Sequence, residues 1–308
     1  MAALGSLSNF STLICLTHCI IKEGKSCIPE VILAHISGSN LLVFLTRVLP
    51  SSLSAFGFRD LYTDVGCKIN ILIFRTCRGA VIGLTCLLSC YQGITLSATS
   101  SKWMRVKARL RAYMPIIVYI CYLVNMASNL DVVYYAVSLD NRSIVPYTYN
   151  LRYCLVIYPN KVIFEAMGLQ IFIQDLVPVL AMAAANAYIL LVLYRHKKVL
   201  RGLVQSDRQR GKTAESQATK TVVILVTLYV TFYGIDNAMW LYQTVSNETL
   251  ALVTDVRIFF TMCYGFVFPV VTVAFNPKLR NTMKVLRRER EQTPQNHDMG
   301  TSSCAKTL

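Results

Sequence analysis

The amino-acid sequence predicts an all-α membrane protein, a seven-transmembrane helix bundle with a short amphipathic helix on its cytoplasmic side. Three observations carry that expectation. Of the 308 residues, 54% are hydrophobic and only 15% charged, against about 25% charged in a soluble globular domain. The apolar residues are gathered into runs close to the ~20 residues that a helix needs to cross a bilayer. The basic residues, which give a net charge of +15, are concentrated in alternate connecting segments, as Lys and Arg beside cytoplasmic span ends are. That distribution also excludes nucleic acid as a partner, because the positive charge sits in short loops between apolar runs.

The runs lie at about 2–21, 31–50, 68–96, 113–133, 168–194, 220–243 and 256–275. The first is the weakest, being short and holding Asn9, Thr17 and His18. It lacks a basic start, so a secretory signal is not expected. With the N-terminus outside, the inside segments are 22–30, 97–112, 195–219 and the tail from Asn276, and they hold 21 of the 31 Lys and Arg residues. Residues 1–275 then form one membrane domain and 276–308 a cytoplasmic tail. Within the tail, Leu279, Met283 and Leu286 recur at spacings of four and three among basic residues. This predicts an amphipathic helix over about 277–290 lying on the anionic inner leaflet. The polar stretch from Gln292 to Leu308 is expected to be disordered.

Eleven cysteines are present without a C-x-x-C pair, so no metal site and no cofactor is expected. Most lie in apolar runs as core thiols. Cys67 and Cys154 instead open the third span and sit in the long second outer loop, about 131–166, where an oxidising compartment favours a disulfide. Asn141-Arg-Ser and Asn247-Glu-Thr fall on the same side as glycosylation acceptors. Asn9-Phe-Ser also matches, but inside a span.

Four ionisable residues interrupt the apolar runs: Arg75 and Arg78 in the third span, Asp175 in the fifth and Asp236 in the sixth. Facing lipid, each would cost about 2.5–3.5 kcal/mol. They must therefore face the bundle interior or a wet cavity. At 1.5 Å per residue, Arg75 and Arg78 lie about 12 and 16 Å below Cys67, in the outer half, with both aspartates at a similar depth. Tyr233, Gln174 and Asn237 add hydrogen-bonding capacity nearby. Two readings stand side by side. Arg78, with Arg75, engages the polar or anionic end of a small organic ligand while Asp175 and Asp236 shape that charge, or the four form a structural network holding helices in register. His35, near the start of the second span, is expected to be a packing or helix-contact residue.

An ordered set of segments resembles the type 1 vomeronasal receptors and the related fish olfactory receptors called class A-like. The set runs Leu45-Thr46-Arg47 with Pro50, Ala55-Phe56-Gly57, Gly66-Cys67-Lys68, Arg78-Gly79, Ile82-Gly83 and Thr85-Cys86-Leu87-Leu88-Ser89. It continues with Gln92, Ile94-Thr95, Ser97, Tyr153-Cys154, Tyr194-Arg195-His196-Lys197 and Glu215-Ser216-Gln217-Ala218-Thr219. Leu4-Gly5-x-x-Ser8-Asn9 looks like the family's first-helix motif, with a shorter stretch before Asn9 than the family usually carries. The resemblance implies a G-protein-coupled receptor, not an enzyme, that detects pheromones or small odorants and signals through a heterotrimeric G protein. It implies an inner face opening between the third, fifth and sixth spans. The basic segment around Arg195, His196 and Lys197 is then expected to contact the G protein.

Several motifs of the wider rhodopsin-like class are missing. Ser89-Cys90-Tyr91-Gln92 stands where Asp-Arg-Tyr would follow the third span, the sixth span has no proline, and Phe268-Pro269-Val270-Val271-Thr272 replaces Asn-Pro-x-x-Tyr. The alternative is a transporter or channel-like receptor for a small organic solute. Such folds tend to show internal repeats and matched broken spans, and Pro115 and Pro178 bear no repeat relationship.

Overall fold

A computed structural model describes residues 2–23, 28–58, 60–97, 101–139, 147–202, 223–224, 226–228, 230–239, 241–242, 251–276 and 279–285. In chain order the helices are α1 (Ala2–Glu23), α2 (Ile28–Val43), α3 (Leu49–Ala55), α4 (Asp64–Ser97), α5 (Ser101–Ser128), α6 (Val132–Tyr135) and α7 (Lys161–Gly202). Next comes α8, helical at every described residue between 223 and 242, and then α9 (Ala251–Phe275). Among the described residues, six helical stretches are long and apolar enough to cross a membrane: Ala3–Lys22, Ile28–Ala55, Asp64–Leu96, Met104–Tyr135, Lys161–Val192 and Asp255–Ala274. Helix α8 is described only in part.

Several helices outrun their apolar runs. Helix α5 begins at Ser101 and carries the basic stretch from Lys102 to Arg111 on its first turns. Long basic side chains lose little freedom in a helix, so hydropathy and helicity need not end together. Prolines 115, 178 and 269 lie inside α5, α7 and α9, as membrane helices tolerate when neighbours satisfy the freed carbonyls. Tyr119, Leu123, Leu180 and Leu191 are each more than half exposed on α5 and α7. Such surface would be an aggregation liability in water and is ordinary against lipid.

The second span is one rod with a change of pitch. Between α2 and α3, Phe44–Val48 forms a π turn in which the Leu49 N–H bonds the Phe44 carbonyl. Pro50 follows it and has no N–H to give to the Thr46 carbonyl. That carbonyl accepts instead from Asn70 Nδ2 at 2.8 Å and from Tyr153 O–H at 3.1 Å.

The segment between α5 and α7 folds into a small antiparallel sheet, β1 (Ala136–Ser138), β2 (Thr148–Asn150) and β3 (Cys154–Ile157), in the order β1-β3-β2. Ala136 faces Val156, and Asn150 faces Leu155. The turn from β2 to β3 holds Arg152 at φ +74°, stabilised where Asn150 Oδ1 accepts the Arg152 N–H at 2.7 Å. A Cys67–Cys154 disulfide fastens β3 to the first turns of α4, Cα to Cα 5.8 Å, and the Ser138 N–H donates to Asp64 Oδ1. Beneath this sheet Cys67, Ile71, Val132, Ala136, Val156 and Tyr158 form a second core beside the main one in the bundle. At the opposite end Leu279 is buried and Met283 packs on the main core. Residues 286–308, which include the last turn of the expected tail helix and the Gln292–Leu308 stretch, lie outside the described residues.

Candidate functional site

Helix α4 carries charge into the bundle at Arg75 and Arg78, and the two side chains diverge. Arg75 Nη1 meets Asp131 Oδ2 at 3.1 Å, and the Tyr158 hydroxyl donates to the same oxygen at 3.0 Å. Arg78 reaches α7 and α8, with Nη1 2.6 Å from Asp175 and Nη2 donating to Asp236 Oδ2 at 3.1 Å. The Asp175 contact is a buried ion pair. From α9, Arg257 Nε donates to Asp236 Oδ1 at 2.8 Å. The two arginines, three residues apart, thus serve two separate networks.

The larger network alternates cation and anion across four helices. Both carboxylate side chains are only 4% exposed, so their charges are removed from water. Removing an ion from water costs several kcal/mol, repaid only by close partners of opposite sign. Two guanidiniums against two carboxylates meet that condition. The Arg78 guanidinium also lies 5.4 Å from the centroid of the Tyr233 ring. Tyr233 packs edge-on to Tyr264 at 5.6 Å, and Tyr264 meets Phe268 at 6.1 Å. An aromatic column therefore continues from the charged ring toward the tail end of the bundle.

One turn away, amide chemistry ties α5 to α7 against α4. Gln174 Nε2 donates to Asn125 Oδ1 at 2.7 Å, and Asn125 Nδ2 donates to the Cys121 carbonyl at 2.8 Å. Asn125 sits where a β-carbon on Gly79 would be, so only glycine allows this approach of α5 to α4. His35 lies 5.9 Å from the Tyr122 ring, and Ser39 Oγ and the Tyr122 hydroxyl are 2.6 Å apart, linking α2 to α5.

Above the ring, under the sheet, Arg47 lies over two aromatic faces, 5.5 Å from the Phe74 centroid and 5.9 Å from that of Tyr153. Phe74 and Arg78 are one helical turn apart on α4, so Arg47 stands about 6 Å nearer the sheet than the charged ring. At the rim, Arg152 and Asp255 join the sheet turn to α9 at 2.6 Å. Outside the spans, burial pushes the Tyr158 phenol up to about 12, against the opposing pull of the Arg75 guanidinium. Burial likewise raises Tyr62, with Tyr153 adding to it.

A model of the vomeronasal organ pheromone receptor family matches residues 2–285. The chain belongs to that family. Olfactory receptor class A-like protein 1 of Danio rerio is 32% identical over 292 residues, covering 94% of this chain and 92% of the relative. Vomeronasal type-1 receptor 4 of Homo sapiens is 24% identical over 282 residues, covering 90% and 92%. Vomeronasal type-1 receptor 2 of Homo sapiens is 23% identical over 274 residues, covering 89% of this chain and 69% of the relative. The chain is accordingly a multi-pass membrane protein, a G-protein-coupled chemosensory receptor and not an enzyme.

In this vomeronasal-family receptor the sequence-predicted residues Arg78, Asp175, Asp236 and Tyr233 meet at one place, Gln174 lies in the adjoining amide network, and Arg75 faces away into the sheet. Asn141 lies outside the described residues. Arg195 is exposed on the far end of α7, and His196 and Lys197 follow it on the same helix. Three participants were not anticipated. Asp131 reads as the start of a loop, Arg257 falls at the very start of the seventh run and Arg47 counts only as part of a motif. The signal that could have found Arg47 is its neighbour, because Pro50 frees a carbonyl that fixes Tyr153 beside it.

Proposed function

We propose that a small odorant or pheromone reaches the charged ring from the sheet end of the bundle, that this end faces the outside, and that the tail faces the cytosol. Residues 1–275 then form the seven-span receptor domain, with the sixth span over about 220–243, and 276–308 the cytoplasmic tail. The observation that carries this reading is the meeting of α4, α7, α8 and α9 in one ring of alternating charge beneath a disulfide-anchored sheet. A receptor signals when its ligand binds one of two helix arrangements better than the other. A polar ligand that competes for Arg78 or Asp236 changes the balance of contacts among four helices at once, which gives it that differential grip. Arg195, His196 and Lys197, at the opposite end of α7, meet the heterotrimeric G protein, and Asn141 carries glycan outside.

The test is a panel of small odorants on cells expressing the receptor with a sensory G protein and a calcium reporter. Arg78→Gln at normal surface level raises the half-maximal concentration at least about tenfold, as loss of a charge-assisted hydrogen bond would. An unchanged response removes Arg78 from the site. An antibody against residues 203–219 stains permeabilised cells only; staining of intact cells overturns the orientation.

A further inference from the structure

We infer that the first turns of α5 are a docking site for an anionic phospholipid whose headgroup carries more than one phosphate, gripped by Arg105 and Arg109. The inference rests on the reading that the tail end of the bundle faces the cytosol, where the membrane leaflet is anionic. It adds a lipid partner on the outside of the bundle. Two observations carry it: the stripe of α5 on which these arginines lie, and their distance from the hydrocarbon.

Arg105, Arg109, Ile116, Ile120 and Leu123 follow one another at spacings of four, seven, four and three, which puts them on one stripe of a helix with about 3.6 residues per turn. Ile116, Ile120 and Leu123 are each at least half exposed, while Met114 and Val118 on the opposite side are buried in the main core. That stripe is therefore the lipid face of α5. Arg105 and Arg109 are exposed as well, so they continue the lipid face past the membrane edge. Among the described residues neither forms an ion pair, and the sequence holds no acidic residue between Asp64 and Asp131. Two guanidiniums without a carboxylate, one turn apart beside lipid, are complementary to phosphate, which their planar forks grip by two oxygens at once.

Depth sets the number of phosphates. Tyr113, 58% exposed, marks the apolar edge, as aromatic side chains do at membrane interfaces. At 1.5 Å per residue Arg109 stands about 6 Å beyond it and Arg105 about 12 Å. The headgroup layer on each side of the hydrocarbon is about 5–7 Å deep. Arg109 thus meets the phosphodiester common to all phospholipids. Arg105 lies beyond ordinary headgroups, within reach of a phosphate held farther out, as on a phosphorylated inositol ring. Arg111 is also exposed but lies on the opposite side of the helix from Arg109, away from this stripe.

The experiment uses purified full-length receptor in phosphatidylcholine nanodiscs doped with phosphatidylinositol bisphosphate, phosphatidylinositol or phosphatidylserine at matched charge. It reads the thermal midpoint against lipid content. The bisphosphate raises the midpoint saturably and at lower content than the other two. Arg105→Gln and Arg109→Gln each weaken its apparent affinity at least about fivefold and the double variant about thirtyfold, the fold-changes given by about 1 kcal/mol per basic residue near the surface. Arg111→Gln removes the same charge away from the stripe and leaves the affinity unchanged. Both stripe arginines are exposed, so their variants keep the fold, and the lipid series on the wild type stands without them. No rise with any anionic lipid, equal rises with all three, or equal weakening by Arg111→Gln and Arg109→Gln overturns the assignment. Equal stabilisation by soluble inositol trisphosphate also overturns it, in favour of a free phosphate ligand. Both faces of a nanodisc carry the lipid, so the result is independent of orientation. Bisphosphate selectivity together with antibody staining of residues 203–219 on intact cells would leave the site standing and overturn the cytosolic reading alone. Loss of selectivity with staining of permeabilised cells only overturns the site alone.

Discussion

Replacing Arg78 by glutamine asks whether the charged ring holds the bundle together. The substitution leaves the Asp175 carboxylate, 4% exposed, without its cation at 2.6 Å, whereas Asp236 keeps Arg257 at 2.8 Å. Breaking a buried pair by removing one partner costs about 3–5 kcal/mol, because an uncompensated charge stays behind. Asp175→Asn is milder, since Arg78 retains Asp236 at 3.1 Å and the loss is about 1–3 kcal/mol. The double variant carries no orphaned charge at this point and recovers most of the loss. The expected coupling between the two positions is therefore at least about 2 kcal/mol. At about 2–3 °C per kcal/mol for a chain of this size, Arg78→Gln unfolds about 6–15 °C below wild type in nanodiscs, and adding Asp175→Asn raises the midpoint again. Additive losses, or an Arg78→Gln midpoint within about 2 °C of wild type, would refute the view that Asp175 depends on Arg78.

Gly79→Ala drives a methyl into Asn125 Oδ1 and breaks its bond from Gln174; it lowers surface expression, and Asn125→Ala restores part of that loss by making room, as flow cytometry will show. Cys67→Ser and Cys154→Ser each destabilise by about 2–4 kcal/mol, and the double variant is no worse than either alone, because one bond is lost in all three. Tyr158 supplies a pH test of the sheet. Its pKa is about 12 in the folded chain and about 10 unfolded, so its contribution is full below about pH 10. Between about pH 10 and 12 the unfolded phenol has lost its proton and the folded one has not, so stability falls by about 1.4 kcal/mol per pH unit. Thermal unfolding of wild type and Tyr158→Phe from about pH 9 to 11.5 should show this extra decline in the wild type alone.

What the sequence revealed follows from where charge is expensive. Arg78, Asp175 and Asp236 stand out because each interrupts a long apolar run, and no lipid-facing solution exists for them. Asp131 and Arg257 escaped because they lie near span ends, where a charge can reach water at little cost and so carries no signal of burial. Their partners are set by tertiary structure, Asp131 by Arg75 and Tyr158 and Arg257 by Asp236. The sheet was invisible for another reason. Its strands are three or four residues long, too short for alternation to declare itself, and they are held by a disulfide as much as by their ladder. The π turn left one trace, Pro50, but a proline near a span's end reads as a stop until Asn70 and Tyr153 are seen to take the freed carbonyl.

Near the sheet, polar side chains of α4 cross-tie the bundle. Toward the sheet, α4 binds its neighbours through Asn70 to Thr46, Arg75 to Asp131, and Arg78 to Asp175 and Asp236. Each bond has its partner on a different element, so relative motion there must break it. Toward the tail, hydroxyls bond their own helices: Ser89 to the Thr85 carbonyl, Thr227 to Val223 and Thr272 to Phe268. A hydroxyl satisfied by the carbonyl four residues back offers no resistance to sliding, and the packing around it is apolar, with Leu84, Leu88, Val118 and Met182 in the main core. Some polar groups at this end do cross between elements: Asn9 donates to the Gly265 carbonyl and Cys19 Sγ lies 3.1 Å from Thr282 Oγ1. Helix α1 is thereby fastened to α9 and to the helical segment that follows it. A rearrangement triggered at the charged ring must exchange these sheet-side partners, and α7, which runs from Asp175 on to Arg195, links that change to the opposite end of the bundle.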